Sequence, residues 1–259
     1  MSENVNILKD HQKYSPGLAD VDVVVLAGGL GTRIQPVLGD IPKLLAPIND
    51  RTYLDYLFAW LVSFGARRVI LSLGHLADRI IAHIEASPFP GLTVETVTEN
   101  TPLGTAGALR LVRPKIDTEH ALVMNGDSWI GADLSSFVDV HRARTSSVTL
   151  LCVQVAESGR FGRVNIDGNS NIMAFREKQD DGGPGLINAG VYAFSSAGWD
   201  MIDDASGASL ERDVFAKQPA STLAAYDAGA VPFIDIGTPE SLAKAAQVIG
   251  RKSGTTGDA

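Results

Sequence analysis

The chain has 259 residues, of which 45% are hydrophobic and 20% charged, as in globular proteins and unlike disordered or fibrous chains. The formal net charge is −8, and Lys and Arg form no run, so we expect no nucleic-acid partner. Apolar runs stay shorter than the ~18 residues of a membrane span, and the N-terminus lacks a signal-peptide core. We therefore expect no membrane association and a cytoplasmic location.

Strand and helix patterns alternate from residue 21 to residue 155. Strands are predicted at 21–27, 68–73, 92–98, 121–125 and 148–155, and helices at 52–64, 76–86, 104–112 and 134–144. This order predicts an α/β fold, with a mostly parallel central sheet and helices on both faces.

The rhythm changes near residue 156. Segments 161–166 and 172–177, joined by a turn rich in Gly and Asn, predict a β-hairpin. A strand at 186–194, a strand at 233–236 and a helix at 239–249 follow. We interpret this half as an antiparallel extension of the same sheet. The domain prediction is therefore a tail or loosely docked arm at 1–20, one domain at 21–250 and a C-terminal tail at 251–259.

A glycine-rich loop follows the first strand. Gly28, Gly29 and Gly31 allow positive φ and close backbone approach, so successive N–H groups could bind phosphate oxygens. Arg33 adds a fork of donors that suits a phosphate. The loop is not a Walker A motif, and Ile34 occupies the third glycine position of a dinucleotide fingerprint. Taken alone, the loop is equally compatible with an ordinary turn.

Three further segments carry polar residues that could serve a site. Lys43 follows Pro42 and could reach back to the same anion, although a surface lysine is the simpler interpretation. Asn125-Gly126-Asp127 ends the fourth strand, at the sheet edge where α/β proteins bind ligands. Asp235 lies between apolar neighbours at a strand end and needs a partner or a metal. Each aspartate alone could also cap a turn or a helix.

The octapeptide Leu-Ala-Gly-Gly-Leu-Gly-Thr-Arg at 26–33, with Ile-Pro-Lys at 41–43, resembles the signature of sugar-phosphate nucleotidylyltransferases, the NDP-sugar pyrophosphorylases. Further similar blocks occur in order across residues 21–249. The resemblance implies a glycosyltransferase-A-like, Rossmann-like nucleotidyltransferase fold with a small antiparallel sugar-binding extension. It also implies Mg²⁺ as the cofactor, and an NTP and a sugar 1-phosphate as the partners.

The resemblance also implies roles for individual residues. Arg33, Lys43 and Asp127 would be catalytic, and Asp127 and Asp235 would bind the metal. The nucleotide would be bound by Leu26, Ala27, Gly28, Gly29, Gly31, Thr32, Arg33, Glu99, Pro102, Gly104, Thr105, Asn125 and Gly126. The sugar phosphate would be bound by Gly162, Glu177, Lys178, Asn188 and Gly190. Two departures from the family pattern are Gln179, where proline is frequent, and Arg163, where an apolar residue is usual.

The implied reaction is attack by a sugar 1-phosphate oxygen on the α-phosphorus of an NTP, with release of pyrophosphate. Segments 46–50 and 233–240 are most similar to D-glycero-α-D-manno-heptose 1-phosphate guanylyltransferases, which implies GTP and a GDP-heptose product. Mannose 1-phosphate guanylyltransferase and uridylyl-, thymidylyl- or cytidylyltransferases for other sugars stay open. Two other functions also stay open, a non-catalytic subunit that binds sugar nucleotides and a Rossmann oxidoreductase. The chain could also form a homo-oligomer.

Overall fold

The structure is a computed structural model that describes residues 17–159, 161–176, 182–220 and 222–249. Its strands are β1 Asp22–Ala27, β2 Pro47–Ile48, β3 Arg51–Thr52, β4 Arg68–Leu73, β5 Thr93–Thr98, β6 Ala121–Asn125, β7 Ser128–Ile130, β8 Val148–Val155, β9 Arg163–Ile166, β10 Ile172–Arg176, β11 Gly185–Phe194, β12 Leu223–Asp227 and β13 Phe233–Asp235. Its α-helices are α1 Gln35–Leu38, α2 Tyr53–Ser63, α3 Ala77–Ala86, α4 Gly104–Val112, α5 Leu134–Ala143, α6 Ser196–Asp204 and α7 Pro239–Ile249.

Nine of these strands form the central sheet, in the order β10-β9-β11-β6-β1-β4-β5, with β8 and β12 continuing from β11. β1 pairs in parallel with β4 and β6, and β4 pairs in parallel with β5. β11 is antiparallel to both β6 and β8 and lies between them. The two predicted strands at 121–125 and 148–155 are therefore separated by a strand from much later in the chain.

Both faces of the sheet are covered, because side chains of the buried strands alternate between two cores. Val23 and Val25 of β1 belong to the core beneath α2, α3, α5 and α7. Val24 belongs to the second core, beneath α4 and α6. This arrangement confirms the predicted α/β class, and the β9–β10 pair is the predicted antiparallel hairpin.

The carboxyl ends of β1, β4, β5 and β6 meet at one edge of the sheet, where open α/β sheets bind ligands. Beside this edge, β7 and β13 form a two-stranded antiparallel ladder that places Asp235 opposite Ser128. The sequence predicted the strand at 233–236 but not β7, which is only three residues long.

The described part of the predicted N-terminal arm packs against the domain. Leu18 is fully buried, and its N–H donates to the carbonyl of Phe64 at 3.2 Å. Asp20 accepts a hydrogen bond from Arg142 at 2.7 Å. Residues 1–16 and 250–259 lie outside the described residues, so the domain boundaries stay predictions. In the described segments, we find no helix with the length and apolar character needed to cross a bilayer.

A buried imidazole at the end of α5 gives the fold a pH dependence. His141 is 1% exposed, and its Nδ1 lies 2.9 Å from Thr149 Oγ1. Burial, and then the charge of His120 at a ring distance of 5.2 Å, lower the pKa of His141 from 6.5 to about 4. Below pH 6.5 the unfolded chain therefore binds a proton that the folded chain excludes.

We therefore expect the free energy of unfolding to fall as the pH drops from about 6.5 towards 4, with His141 contributing up to about 1.4 kcal/mol per pH unit. Urea denaturation at several pH values measures this slope. His141→Asn keeps a polar atom near Thr149 and should flatten the slope in that window. An unchanged slope would show that other groups dominate the acid sensitivity.

Candidate active site

A cleft of about 360 Å³ opens at the carboxyl ends of β1, β4, β5 and β6. Most residues that the sequence assigned to nucleotide binding line this cleft: Leu26, Ala27, Gly28, Gly29, Gly31, Glu99, Pro102, Gly104, Thr105, Asn125 and Gly126. Lys43 and Asp127, which were predicted to be catalytic, line it as well. Thus four segments that are far apart in the chain meet at the edge where the sequence predicted a site.

Two predicted nucleotide-binding residues are not part of the cleft wall. Thr32 and Arg33 are exposed and do not line the cleft. Arg33 is nevertheless close enough for its positive charge to favour the ionised form of Asp235. A guanidinium there could meet the phosphate end of a ligand that extends out of the cleft.

Glycines after β1 and β4 allow a very close approach between the loops that follow neighbouring strands. A Cβ on Gly28 would lie 2.5 Å from Oε1 of Glu99, which also lines the cleft. A Cβ on Gly74, at the end of β4, would lie 2.6 Å from the carbonyl oxygen of Gly28. Gly74 is not among the predicted site residues, although its position directly after a buried strand is a signal of such a close approach.

Lys43 forms an ion pair with Asp127, with 2.8 Å between Nζ and Oδ2. The lysine begins a short 3₁₀ helix, Lys43–Leu45, whose preceding residue Pro42 fixes the entry of the chain. The two side chains are 23% and 27% exposed, so the pair faces the cleft. The structure thus brings together two of the predicted catalytic residues. The ammonium group of Lys43 lies beside the carboxylate of Asp127, which is also a predicted metal ligand.

Asp235 approaches the same place from β13. The N–H of Ile236 donates to the carbonyl of Asp127 at 2.9 Å, which fixes the two segments side by side. Burial, and then the negative charge of Asp127, raise the pKa of Asp235. The N–H of Gly237 donates to Asp235 Oδ1 at 2.6 Å and opposes this shift.

These two carboxylates could hold a divalent cation. Among the described residues, no group of three or more His, Cys, Asp and Glu side chains is placed to bind a metal. A cation at Asp127 and Asp235 would therefore take its remaining ligands from phosphate oxygens and water. This donor set fits Mg²⁺, which usually keeps several waters and is held by one or two carboxylates together with substrate phosphates.

Sequence reasoning missed three residues of this region. Tyr53, the first residue of α2, is fully buried, and its hydroxyl has no hydrogen-bond partner among the described residues. Burial, and then the charges of Asp127 and Asp235, raise its pKa well above 10. His75 and Leu76 line the cleft after β4, and Leu76 has a φ of 60°, which is uncommon for a bulky residue. No motif in the sequence marks these positions.

The start of α4 packs against a later segment of the chain. The N–H of Ala106 donates to the carbonyl of Ala208 at 2.9 Å and is therefore not free for a ligand. Gly104 has a φ of 71°, and a Cβ there would lie 2.5 Å from the same carbonyl oxygen. The hydroxyl of Thr105 accepts the N–H of Leu210 at 2.7 Å. Gly104 is therefore required partly by packing between protein segments.

None of the described sugar-phosphate candidates forms part of the cleft wall, and of the three only Gly190 closely approaches a residue that lines it. Asn188 Oδ1 accepts the N–H of Gly190 at 2.9 Å. Gly190 has a φ of 75°, and a Cβ there would lie 2.5 Å from Nδ2 of Asn125 in the cleft wall. Gly162 is exposed and follows Phe161, whose ring packs against Phe233 at 5.5 Å. The predicted Glu177 and Lys178 lie outside the described residues.

Arg163, one of the two departures from the family pattern, joins two loops. Its guanidinium donates to the hydroxyl of Ser158 and, at 2.7 Å, to the carbonyl of Gly182. Ser158 in turn donates to the carbonyl of Gly183 at 2.8 Å. Because its Nε and Nη2 groups donate within the protein, Arg163 has a structural role in joining these loops.

A model of the nucleotidyl transferase family matches residues 22–252. The chain belongs to this family. Together with the relatives described next, this match places the chain in the sugar-phosphate nucleotidyltransferase class of enzymes. The cleft occupies the sheet edge that the sequence had indicated.

Two relatives of this chain are named as sugar 1-phosphate guanylyltransferases. Mannose-1-phosphate guanylyltransferase of Mycobacterium tuberculosis is 36% identical over 86% of this chain, and the match spans 63% of that protein's length. D-glycero-alpha-D-manno-heptose 1-phosphate guanylyltransferase of Aneurinibacillus thermoaerophilus is 31% identical over 87% of this chain and 96% of its own. The match therefore covers nearly the whole of the second relative and less than two thirds of the first.

A solved structure shows the same fold with a nucleotide analogue. The crystal structure of HddC from Yersinia pseudotuberculosis complexed with GMP-PN is 34% identical and has a TM-score of 0.77. The match covers 88% of this chain and 98% of HddC.

Proposed function

We propose that this protein transfers a guanylyl group from GTP to a sugar 1-phosphate, with D-glycero-α-D-manno-heptose 1-phosphate as the preferred acceptor. The observation that carries the proposal is the convergence of the glycine loop, Lys43 and the Asp127–Asp235 pair at one edge of the sheet. The heptose relative supports this acceptor because the match covers 96% of its length. Mannose 1-phosphate is the second candidate, because the mycobacterial relative has the higher identity.

In the proposed reaction, an oxygen of the sugar 1-phosphate forms a bond to the α-phosphorus of GTP. The bond from that phosphorus to the bridging oxygen breaks, and pyrophosphate leaves with the electron pair. The attacking phosphate is already anionic, so the site needs no strong general base. The barrier arises from bringing anions together and from charge moving onto the leaving group, so positioning and cationic donors dominate catalysis.

The residues of the cleft fit these tasks. The backbone N–H groups of the loop Gly28–Gly31 would hold the phosphates of GTP, and Arg33 would meet the leaving pyrophosphate. Lys43 would contact the reacting phosphate, since it already lies beside Asp127 in the cleft wall. Asp127 and Asp235 would hold Mg²⁺, which would neutralise phosphate charge when bound.

Glu99 supports the choice of GTP. Its carboxylate lies in the cleft wall beside Gly28, and Oε2 accepts the N–H of Leu103 at 3.2 Å. An ionised carboxylate only accepts hydrogen bonds and has about four lone-pair sites. Guanine presents two adjacent donors, N1–H and the N2 amine, on its Watson–Crick edge. The other bases place an acceptor beside each donor, so a carboxylate favours guanine.

Pyrophosphate release tests the proposal directly. The protein is incubated with each of GTP, UTP, CTP, ATP and dTTP, with a panel of sugar 1-phosphates, in buffer containing Mg²⁺ or EDTA. We expect turnover with GTP and the heptose or mannose acceptor, loss of turnover in EDTA, and recovery on adding excess Mg²⁺. Binding of sugar nucleotides without turnover on any pair would instead identify a non-catalytic subunit. The cytoplasmic location and homo-oligomerisation stay predictions.

A further inference from the structure

A buried tyrosine connects the predicted sugar-binding residue Asn188 to a glutamate on another segment. Tyr192 is fully buried in β11, and its hydroxyl donates to Oε1 of Glu211 at 2.7 Å. The same hydroxyl oxygen lies 2.9 Å from Nδ2 of Asn188, which donates to it. Glu211 lies in a single turn of π-helix, Leu210–Val214, a rare conformation that is frequent at functional sites.

The direction of these hydrogen bonds is fixed by chemistry. A carboxylate can only accept, so the proton of Tyr192 must point to Glu211. The lone pairs of the tyrosine oxygen then face Asn188, whose amide nitrogen must be the atom that approaches. The carbonyl oxygen of Asn188 is consequently turned to the N–H of Gly190. One amide N–H and one lone pair of Asn188 have no partner among the described residues and could serve a ligand.

The turn that carries Glu211 is also attached to the nucleotide side of the cleft. Leu210 donates its N–H to the hydroxyl of Thr105 at 2.7 Å, and Thr105 lines the cleft. Arg110 of α4 donates to the carbonyls of Ala205 and Gly207 at 2.7 and 3.0 Å. Glu211 is therefore held in place by the helix that begins at the nucleotide cleft.

We propose that Glu211 is a positioning residue that, through Tyr192, fixes the side chain of Asn188 for a hydroxyl of the sugar 1-phosphate. The inference rests on the proposed function, since it needs a sugar beside Asn188. Glu211 itself does not touch the substrate; it determines which face of the Asn188 amide is presented. Loss of this chain of hydrogen bonds should weaken sugar binding and leave GTP binding unchanged.

Steady-state kinetics with GTP and the sugar 1-phosphate test this role. Tyr192→Phe keeps the ring packing but removes the hydroxyl, so we expect KM for the sugar 1-phosphate to rise about tenfold, as for one lost hydrogen bond to a charged or oriented partner. KM for GTP should stay at the wild-type value. Glu211→Leu should show the same split, and Glu211→Gln should restore most of the affinity because its amide oxygen still accepts from Tyr192.

Arg212→Ala is the matched control, because this neighbouring side chain is 70% exposed and lies outside the chain of hydrogen bonds. Thermal denaturation shows whether each variant is folded. If Glu211→Leu is unfolded, the kinetics of Tyr192→Phe alone provide the test. Unchanged sugar KM in Tyr192→Phe, or equal increases in both KM values, would overturn the inference and leave the proposed function standing. Lack of turnover by the wild-type protein with the whole panel would overturn both.

Discussion

Asp127→Ala is expected to lower kcat by roughly 10²–10³-fold, the size of effect seen when one group that stabilises a transition state is removed. The carboxylate lies in the cleft wall, contacts Lys43 at 2.8 Å and is close enough to Asp235 to raise its pKa. Its loss would remove one of two proposed metal ligands and release the lysine from its position. Pyrophosphate release at saturating GTP and sugar 1-phosphate measures the change.

The variant should remain folded, because the Lys43–Asp127 pair is partly exposed and such pairs add little stability. Lys43→Ala should also lose most turnover, since the lysine is proposed to contact the reacting phosphate. Asp139→Ala is a suitable control: its carboxylate is 60% exposed on α5 and pairs only loosely with Arg142, at 3.9 Å. Turnover near the wild-type value in Asp127→Ala, with a normal unfolding curve, would remove Asp127 from the mechanism.

Local sequence patterns were sufficient for most elements of the sheet. The predicted bounds of β4, β6, β8 and α7 coincide with those of the structure. Each of these segments is a continuous apolar run or a helical pattern that ends at a residue typical of a turn or cap. Local sequence therefore determines where these elements begin and end. The sequence also predicted that the glycine loop and Asp127 lie at one edge, because the carboxyl ends of parallel strands meet there, and both line the cleft.

Features that depend on distant partners could not be predicted in this way. β11 lies between β6 and β8 because it pairs with both, and neither partner is adjacent to it in the chain. The proximity of Asp235 to Asp127 depends on the short β7–β13 ladder, and only the family resemblance had indicated it. The carbonyl of Ala208, which accepts a hydrogen bond from the N–H of Ala106, belongs to a turn about a hundred residues later in the chain.

The contact of Glu211 with Tyr192 also could not be predicted from local sequence. Nothing in its local sequence distinguishes it from other acidic residues, and its partner Tyr192 is part of an ordinary strand pattern. Only the folded chain brings the two within 2.7 Å. The glycine loop proposed to bind substrate is therefore visible in the sequence, whereas the contact between Tyr192 and Glu211 is visible only in the structure.

The proposed selection of guanine by Glu99 leads to the second prediction with a large expected effect. Glu99→Gln is expected to reduce kcat/KM for GTP roughly 10–10²-fold, in line with the ~1–3 kcal/mol that a bidentate base contact contributes to discrimination. The amide oxygen of glutamine can keep the hydrogen bond from Leu103, which leaves its NH₂ group turned to the base. Two donors would then face the donors N1–H and N2–H of guanine.

The same substitution should shift the preference towards UTP and dTTP, because uracil and thymine carry carbonyl oxygens that can accept a hydrogen bond from the NH₂ group. The ratio of kcat/KM for GTP to that for UTP is therefore the decisive measurement, since general damage would lower both values together. Glu119→Gln serves as the control, because its carboxylate is 85% exposed and does not line the cleft. A ratio unchanged by Glu99→Gln would mean that the backbone of the cleft, and not this carboxylate, selects the base.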